Sequence, residues 1–460
     1  MLQQLIYFVV SFVLSVALTL IVYPGIFYSD SYGRCSLTLA LVRGQNHLLD
    51  NWLSFPPQLF MAVCYLITGE YGGFTFLSAL LFFYISFLTI AEFCPKYKVI
   101  ACCCYALCLV YFGFSIYVEM SIGCVTALLA LLLIILRIDH TALASKKGGL
   151  VWYSVVCFYL WLCIIGFRQN AFTVLPVVIY SIIRLSIKIK AYWSIVIHTI
   201  TTILAVLTIT LLPLILNFGF KYGKGSKYMG LVWEMVCMIK EMPDKYEYMS
   251  MLDYLGEEEG ATLLGVTTVN YNSINSVNTY LSNYKAGQGN NGNRIIKNYL
   301  YLLKNETKTF FLVKGRFIAR TLGISQPLDN VEYDYNRDER MGEFNMKDTK
   351  LRRGFHDIYN RFLDSSSFIR MPWLVFSVVL ALILLVKRIV EKELANQLMT
   401  VYFTAVFFYS SFLITVQSQE FRYFFVPLVL LTSCCFCCLE QFICFLLYQH
   451  PKKLKETTIA

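Results

Sequence analysis

Ten stretches of this chain are too apolar to be left facing water, and that limits the fold before any motif is read. They are residues 5–23, 74–93, 99–117, 121–136, 150–167, 171–183, 193–217, 371–386, 397–416 and 423–446. A helix crosses a hydrocarbon core with about 20 mostly apolar residues, and most of these runs approach that length. Inside lipid a backbone must satisfy its own polar groups, so helices are expected throughout. The expected fold class is an all-α polytopic membrane protein. Composition agrees, with 57% hydrophobic and 15% charged residues among 460 and a mean hydropathy of +0.59. No basic segment or small-residue cleavage site marks the first run as a removable signal, so it is expected to remain a span. The net charge of +10 does not point to nucleic acid. Lys and Arg gather in short segments between spans, where they set membrane orientation.

That same charge placement decides one ambiguous stretch. Residues 57–68, PQLFMAVCYLIT, are short and lie between Pro57 and Gly69. With this stretch on the surface and the N-terminus cytoplasmic, the inner segments hold fourteen basic residues. These are Lys96, Lys98, Arg137, Lys146, Lys147, Arg184, Lys188, Lys190, Lys387, Arg388, Lys392, Lys452, Lys453 and Lys455. The short outer segments hold four: Arg34, Arg43, Arg168 and Arg422. A crossing at 57–68 would reverse the sides of everything after it, so the stretch is expected to be a juxtamembrane helix in the interface. Ten spans with both termini inside follow. The sixth is short and carries Pro176, which favours tilt or a water-exposed start.

The chain divides into an N-terminal membrane module (1–217, with an outer loop at 24–73), a polar insertion (218–370) and C-terminal spans with a short tail (371–460). Apolar periodicity at 230–240 and 295–321 predicts a mostly helical soluble domain on the outside. Tyr299, Leu302 and Leu303 are expected on one face, and Phe310, Val313 and Phe317 on another, with 280–294 as a flexible loop. No internal repeat stands out. Most of the sixteen cysteines sit within spans as small apolar residues. The run at 434–438 lacks His partners, and Cys35, Cys64 and Cys237 make no disulfide framework.

Polar residues sort to the outer ends of the spans. The first acidic residue of the chain, Asp30, follows the Pro24-Gly25 stop of the first span, and Asp50 precedes Pro56-Pro57. Glu119 lies between the third and fourth spans, Arg168-Gln169-Asn170 before the sixth, and Glu420, Arg422 and Tyr423 before the last. A carboxylate just outside the bilayer keeps its hydration yet reaches a lipid headgroup. Such a group suits a general base that accepts a proton from an attacking hydroxyl. Arg168 and Arg422 suit a departing phosphate, because guanidinium pairs phosphate oxygens through two parallel hydrogen bonds. Glu119 suits a divalent cation, Mg or Mn, or the acceptor. The candidates are therefore Asp30 and Glu119 as catalytic residues and metal ligands. Arg34, Asp50, Arg168, Gln169, Asn170, Glu420, Arg422 and Tyr423 are the candidates for binding substrate. Plainer roles suit the same residues. Asp30 fits a helix cap or a pair with Arg34, Glu119 an interfacial position, Arg422 snorkelling at a span end, and Asp50 a structural position.

The segments YPGIFYSDSYGR, FPPQLFMAVCYLITGE, YVEM, FRQNA and EFRYFFVPL, in that order, resemble the C-type superfamily of membrane glycosyltransferases that use polyprenyl-phosphate sugars. Within it the chain is most similar to bacterial serotype-converting O-antigen glucosyltransferases and their relatives. The resemblance covers 1–217 and 371–428, and the insertion matches in size and position only. It implies a fold of about ten spans with a juxtamembrane helix and a periplasmic domain, in a bacterial inner membrane. It also implies a catalytic Asp30 and a second acidic residue at Glu119. The implied partners are an undecaprenyl-phosphate sugar donor, a lipid-linked glycan acceptor and membrane lipid. Two positions depart from the pattern: Phe55 stands where that family carries His before Pro-Pro, and Glu119 where it carries Asp. A polysaccharide polymerase is the first alternative. A lipid-glycan transporter, which needs ionisable groups within spans such as Glu440, is the second.

Overall fold

A computed structural model of the chain describes residues 2–27, 29–45, 48–49, 55–108, 115, 120–137, 148–189, 192–220, 228–244, 247–255, 291–322, 324, 349–364, 375–379, 392–414 and 421–456. Among these the protein is almost wholly helical. Five helices are long and apolar enough to cross a membrane: Leu2–Ile21, Gly72–Phe93, Gly149–Phe167, Trp193–Ile215 and Phe424–Cys444, the last within a longer helix. Shorter apolar helices lie within other predicted spans, including Lys98–Leu107, Ser121–Ile135 and Asn170–Arg184; the first stops before Cys108, well short of the predicted end at 117. This is an all-α membrane protein.

In chain order the membrane part contains α1 (Leu2–Ile21), α2 (Ser29–Val42), β1 (Leu48–Leu49), α3 (Phe55–Thr68), α4 (Gly72–Phe93), α5 (Lys98–Leu107), α6 (Met120–Arg137) and α7 (Gly149–Phe167). A 3-10 stretch, Gln169–Val174, leads into α8 (Leu175–Ile189), followed by α9 (Trp193–Ile215) and β2 (Gly219–Phe220). The insertion holds α10 (Met229–Glu241), a 3-10 turn (Met249–Leu255), α11 (Asn291–Asn305), α12 (Thr307–Thr321) and α13 (Lys350–Asp364). The chain closes with α14 (Lys392–Ile414) and α15 (Phe421–Glu456).

The first helix is inverted relative to a helix of a water-soluble bundle. Helix α1 buries Ser11, Ser15 and Thr19 while exposing Leu5, Ile6, Val9, Val13 and Leu20. Lipid is as apolar as leucine, so spans associate through small residues and close packing, not through hydrophobic sorting. Aromatic contacts follow: Phe8 meets Tyr84 and Phe12 meets Phe76 edge-on, with centroids 5.8 and 5.5 Å apart.

The ends of the bundle can be told apart by their contacts. At one end Lys98 Nζ donates to Gln3 Oε1 at 3.0 Å. Buried Glu440 there accepts from the Lys96 and Tyr97 amides at 3.2 and 3.0 Å. At the other, Tyr23 bonds Glu70, and Thr75 Oγ1 donates to the Pro24 carbonyl at 2.6 Å. Phe60 of α3 packs on Phe74 and Phe167, at 5.5 and 6.3 Å. Helix α3 thus finishes at the end where α1 terminates, and α1 and α4 run antiparallel beside it. Leu59, Val63, Leu66 and Ile67 form its exposed apolar stripe.

The stretch read as an outer loop, 24–73, is largely helical. Helix α2 occupies much of its first half, burying Ser31, Arg34, Cys35 and Thr38 along one side. Tyr71 donates from its hydroxyl to the Cys35 carbonyl. Tertiary burial here overrides the weak helix preference of Ser29, Ser31 and Gly33.

The insertion has its own core. Val232, Trp233, Val236, Ile239, Ile295, Leu302, Val313 and Phe317 are buried together, with Tyr299 and Phe310 packed alongside. The predicted face of Phe310, Val313 and Phe317 therefore points inward, as do Tyr299 and Leu302 of the other, while Leu303 stays outside this core. The expected loop at 280–294 needs one correction: residues 291–294 form the first turn of α11. Gly292 lies against Tyr228, whose hydroxyl a Cβ would meet at 2.3 Å. The glycine serves close approach here, not a turn. Residues 280–290 lie outside the described ones.

Candidate functional site

The chain leaves α1 through a turn at residues 22–25. Arg352, in the first turn of α13, binds the carbonyls of this turn. Its Nη1 donates to the Val22 and Tyr23 carbonyls, both at 2.7 Å, and its Nη2 to the Gly25 carbonyl at 2.8 Å. The side chain is 1% exposed. Gly25 itself has φ +142°, a conformation that only glycine adopts without strain. Thr349 Oγ1 accepts from the Arg352 amide at 3.1 Å, capping α13 and fixing where the guanidinium starts.

Four residues downstream of Gly25, α2 begins, with Asp30 in its first turn and Arg34 one turn further on. Arg34 is buried, 4% exposed, which suits a fixed cation better than a surface anchor. β1 follows and pairs in parallel with β2, Leu48 against Gly219 and Leu49 against Phe220. Both ends of the insertion are thus tied to the segment that carries Asp30, one by β2 and one by Arg352.

Arg168 sits in extended backbone between α7 and the 3-10 stretch. Its Nε and Nη2 donate to Ser121 Oγ at 3.0 and 2.7 Å. Ser121 is in the first turn of α6, two residues after Glu119. Helices α6 and α7 can approach this closely because a Cβ on Gly123 would fall 2.3 Å from the Phe167 ring. Asn170 is half-buried and its carbonyl accepts from Thr173 Oγ1 at 2.9 Å. The last helix joins the same end: Phe424 packs on Tyr409 with centroids 5.2 Å apart, and Tyr409 donates to the Thr321 carbonyl of the insertion. Arg422 and Tyr423 occupy the first turn of α15.

The described elements that lead into the Asp30, Glu119, Arg168 and Arg422 segments accordingly meet at one end of the bundle. Gln169 is in the 3-10 stretch. Asp50, Glu119 and Glu420 lie outside the described residues, as do the side chains of Asp30, Gln169, Arg422 and Tyr423. Among the described residues no three His, Cys, Asp or Glu side chains gather as a metal site, and the expected ligands Asp30 and Glu119 are not among the side chains described. All sixteen cysteines are free.

The sequence reading missed Arg352, Ser121 and Tyr409. The signal for Arg352 was present as Thr349 three residues ahead of a basic amphipathic run, a helix-start pattern. Ser121 and Tyr409 carry no signal apart from the fold. Glu440, which the transporter alternative singled out, caps the turn before α5 with one oxygen on two amides.

No family model matches the chain. Nor does any curated protein match its sequence.

Proposed function

We propose that the protein is an inverting glycosyltransferase of a bacterial inner membrane. It moves a sugar from an undecaprenyl-phosphate donor to a lipid-linked or surface glycan on the periplasmic face. Ten spans with both termini cytoplasmic and a C-type glycosyltransferase fold belong to the same reading. The observation that carries it is the common end: elements distant in sequence lead there into segments bearing Asp30, Glu119, Arg168 and Arg422.

In this mechanism the acceptor hydroxyl oxygen attacks the anomeric carbon from the face opposite the phosphate, forming the new glycosidic bond. The anomeric carbon–phosphate oxygen bond breaks and its electron pair leaves with the polyprenyl phosphate. Asp30 takes the hydroxyl proton. Arg168 and Arg422 stabilise the charge that grows on the phosphate, where fixed donors are worth most. Ser121 holds the Arg168 guanidinium at the start of α6. Glu119 orients the acceptor, and with Asp30 it supplies oxygen donors of the kind a divalent cation such as Mg or Mn takes.

Asp30→Asn, with membrane levels of the protein matched, tests the reading. The expected result is loss of one sugar from the surface glycan with chain length intact, and a rate drop of about 10²–10⁴-fold in vitro. Unchanged glycan composition would refute it, and a shortened ladder of glycan chains would favour a polymerase.

A further inference from the structure

Helix α13 presents two faces that its position in the insertion does not explain. Leu351, Phe355 and Ile358 follow at helical spacing on one side. Phe355 is half-buried against the membrane core, whereas Leu351 is 62% and Ile358 60% exposed. Lys350, Arg353, Asp357 and Arg361 line the other side, all exposed and mostly basic. A soluble domain has no reason to leave two large aliphatic side chains a turn apart from a packed Phe in water.

One anchor fixes the position of this helix along the bundle. Arg352 holds it to the Val22, Tyr23 and Gly25 carbonyls, just past the end of the first apolar helix. Leu20, one turn before that end, is 72% exposed as part of the lipid-facing side of α1. The exposed stripe of α13 is therefore held close to the level at which the exposed apolar side of α1 ends. Exposed aliphatics at the level of the bilayer edge, backed by a basic face, are the pattern of a helix lying in the headgroup region.

We infer that α13 is a membrane-interface helix: Leu351 and Ile358 enter the acyl boundary, while Lys350, Arg353 and Arg361 meet anionic lipid phosphates. The insertion is then seated on the bilayer and not held above it. The inference is independent of the glycosyltransferase reading, since it concerns only the lipid surface.

The test uses the full chain in lipid nanodiscs, with a fluorescent non-natural amino acid placed singly at Leu351, Ile358 or Asp357. In phosphatidylglycerol discs, lipids brominated near the acyl carbonyl should quench the probe at 351 and 358, and aqueous iodide should quench it at 357. Replacing phosphatidylglycerol by phosphatidylcholine should weaken the lipid quenching. Equal iodide quenching at all three positions would overturn the inference. So would probes at 351 and 358 that neither iodide nor brominated lipid reaches, because protein would then cover the stripe. These positions are exposed, so the variants fold, and a change in sugar transfer is not the readout.

Discussion

Arg352 shows how one residue can set the geometry of a site it does not line. Three carbonyls in the turn that follows α1 each offer a hydrogen-bond acceptor, and a planar guanidinium reaches all of them from one side chain. Arg352→Ala should cost about 1.5–3 kcal/mol, the range for hydrogen bonds to a charged group. Arg352→Lys should recover only part, because a point charge lacks the fork. Thermal unfolding in detergent would measure both, and a Lys variant as stable as wild type would contradict the role. The insertion carries a second residue-scale consequence, in its titration. Burial pushes the Cys237 thiol well above its ordinary value of 9.0. Burial and then the Glu234 charge raise the Tyr299 phenol above 10.0, while its hydroxyl donates to Glu234 Oε2 at 2.7 Å. Both groups hold their protons in the folded state after the unfolded chain has released them. The stability they contribute is therefore complete below about pH 9 and falls as pH rises further. Melts from pH 7 to 11 should show a loss beginning near pH 9, and Cys237 should resist maleimide until unfolding. A melting temperature that is flat across that range would contradict this account.

At the scale of elements, apolar length and period made the spans legible, because lipid enforces them along whole helices. The buried faces of α11 and α12 were legible for a related reason, since Leu302, Val313 and Phe317 recur at helical spacing. Helix α2 was not. Its polar residues read as a loop, and only packing against α3 and the Tyr71 bond to Cys35 make it helical. Of the candidate site, the segments were legible but their partners were not. Nothing in GFRQNAF reveals that Arg168 will grip Ser121, because that pairing depends on the crossing of α6 and α7. Another close approach is equally invisible in sequence: a Cβ at Gly72 would lie 2.3 Å from the Tyr23 ring, where α1 and α4 meet. Gly72→Val should overpack this junction and cost about 1–3 kcal/mol. It should also free Tyr23 from Glu70 and loosen the Pro24 turn that precedes α2. Proteolysis within 24–73, faster in the variant than in wild type, is the expected sign; an unchanged rate would mean that the junction yields elsewhere.

For the whole molecule the question is which end faces which compartment. One end carries Lys96, Lys98 and the N-terminal start of α1. The opposite end carries Arg168, the β1–β2 pair and the Arg352 anchor. In the proposed reading the first end faces the cytoplasm, in line with the positive-inside tendency. That assignment is open to test: a crossing by α3 would reverse the Lys96 turn and the insertion together, placing the turn outside and the insertion inside. An enzyme reporter active only outside the cytoplasm, inserted after Phe220 or Asp244, should be active, and inserted after Lys96 it should be silent. Activity at Lys96 with silence at both insertion sites would invert the molecule. A polyprenyl-phosphate sugar presented on the periplasmic leaflet would then be out of reach of Arg168, and the proposed reaction would have to be abandoned even if every distance within the bundle stood.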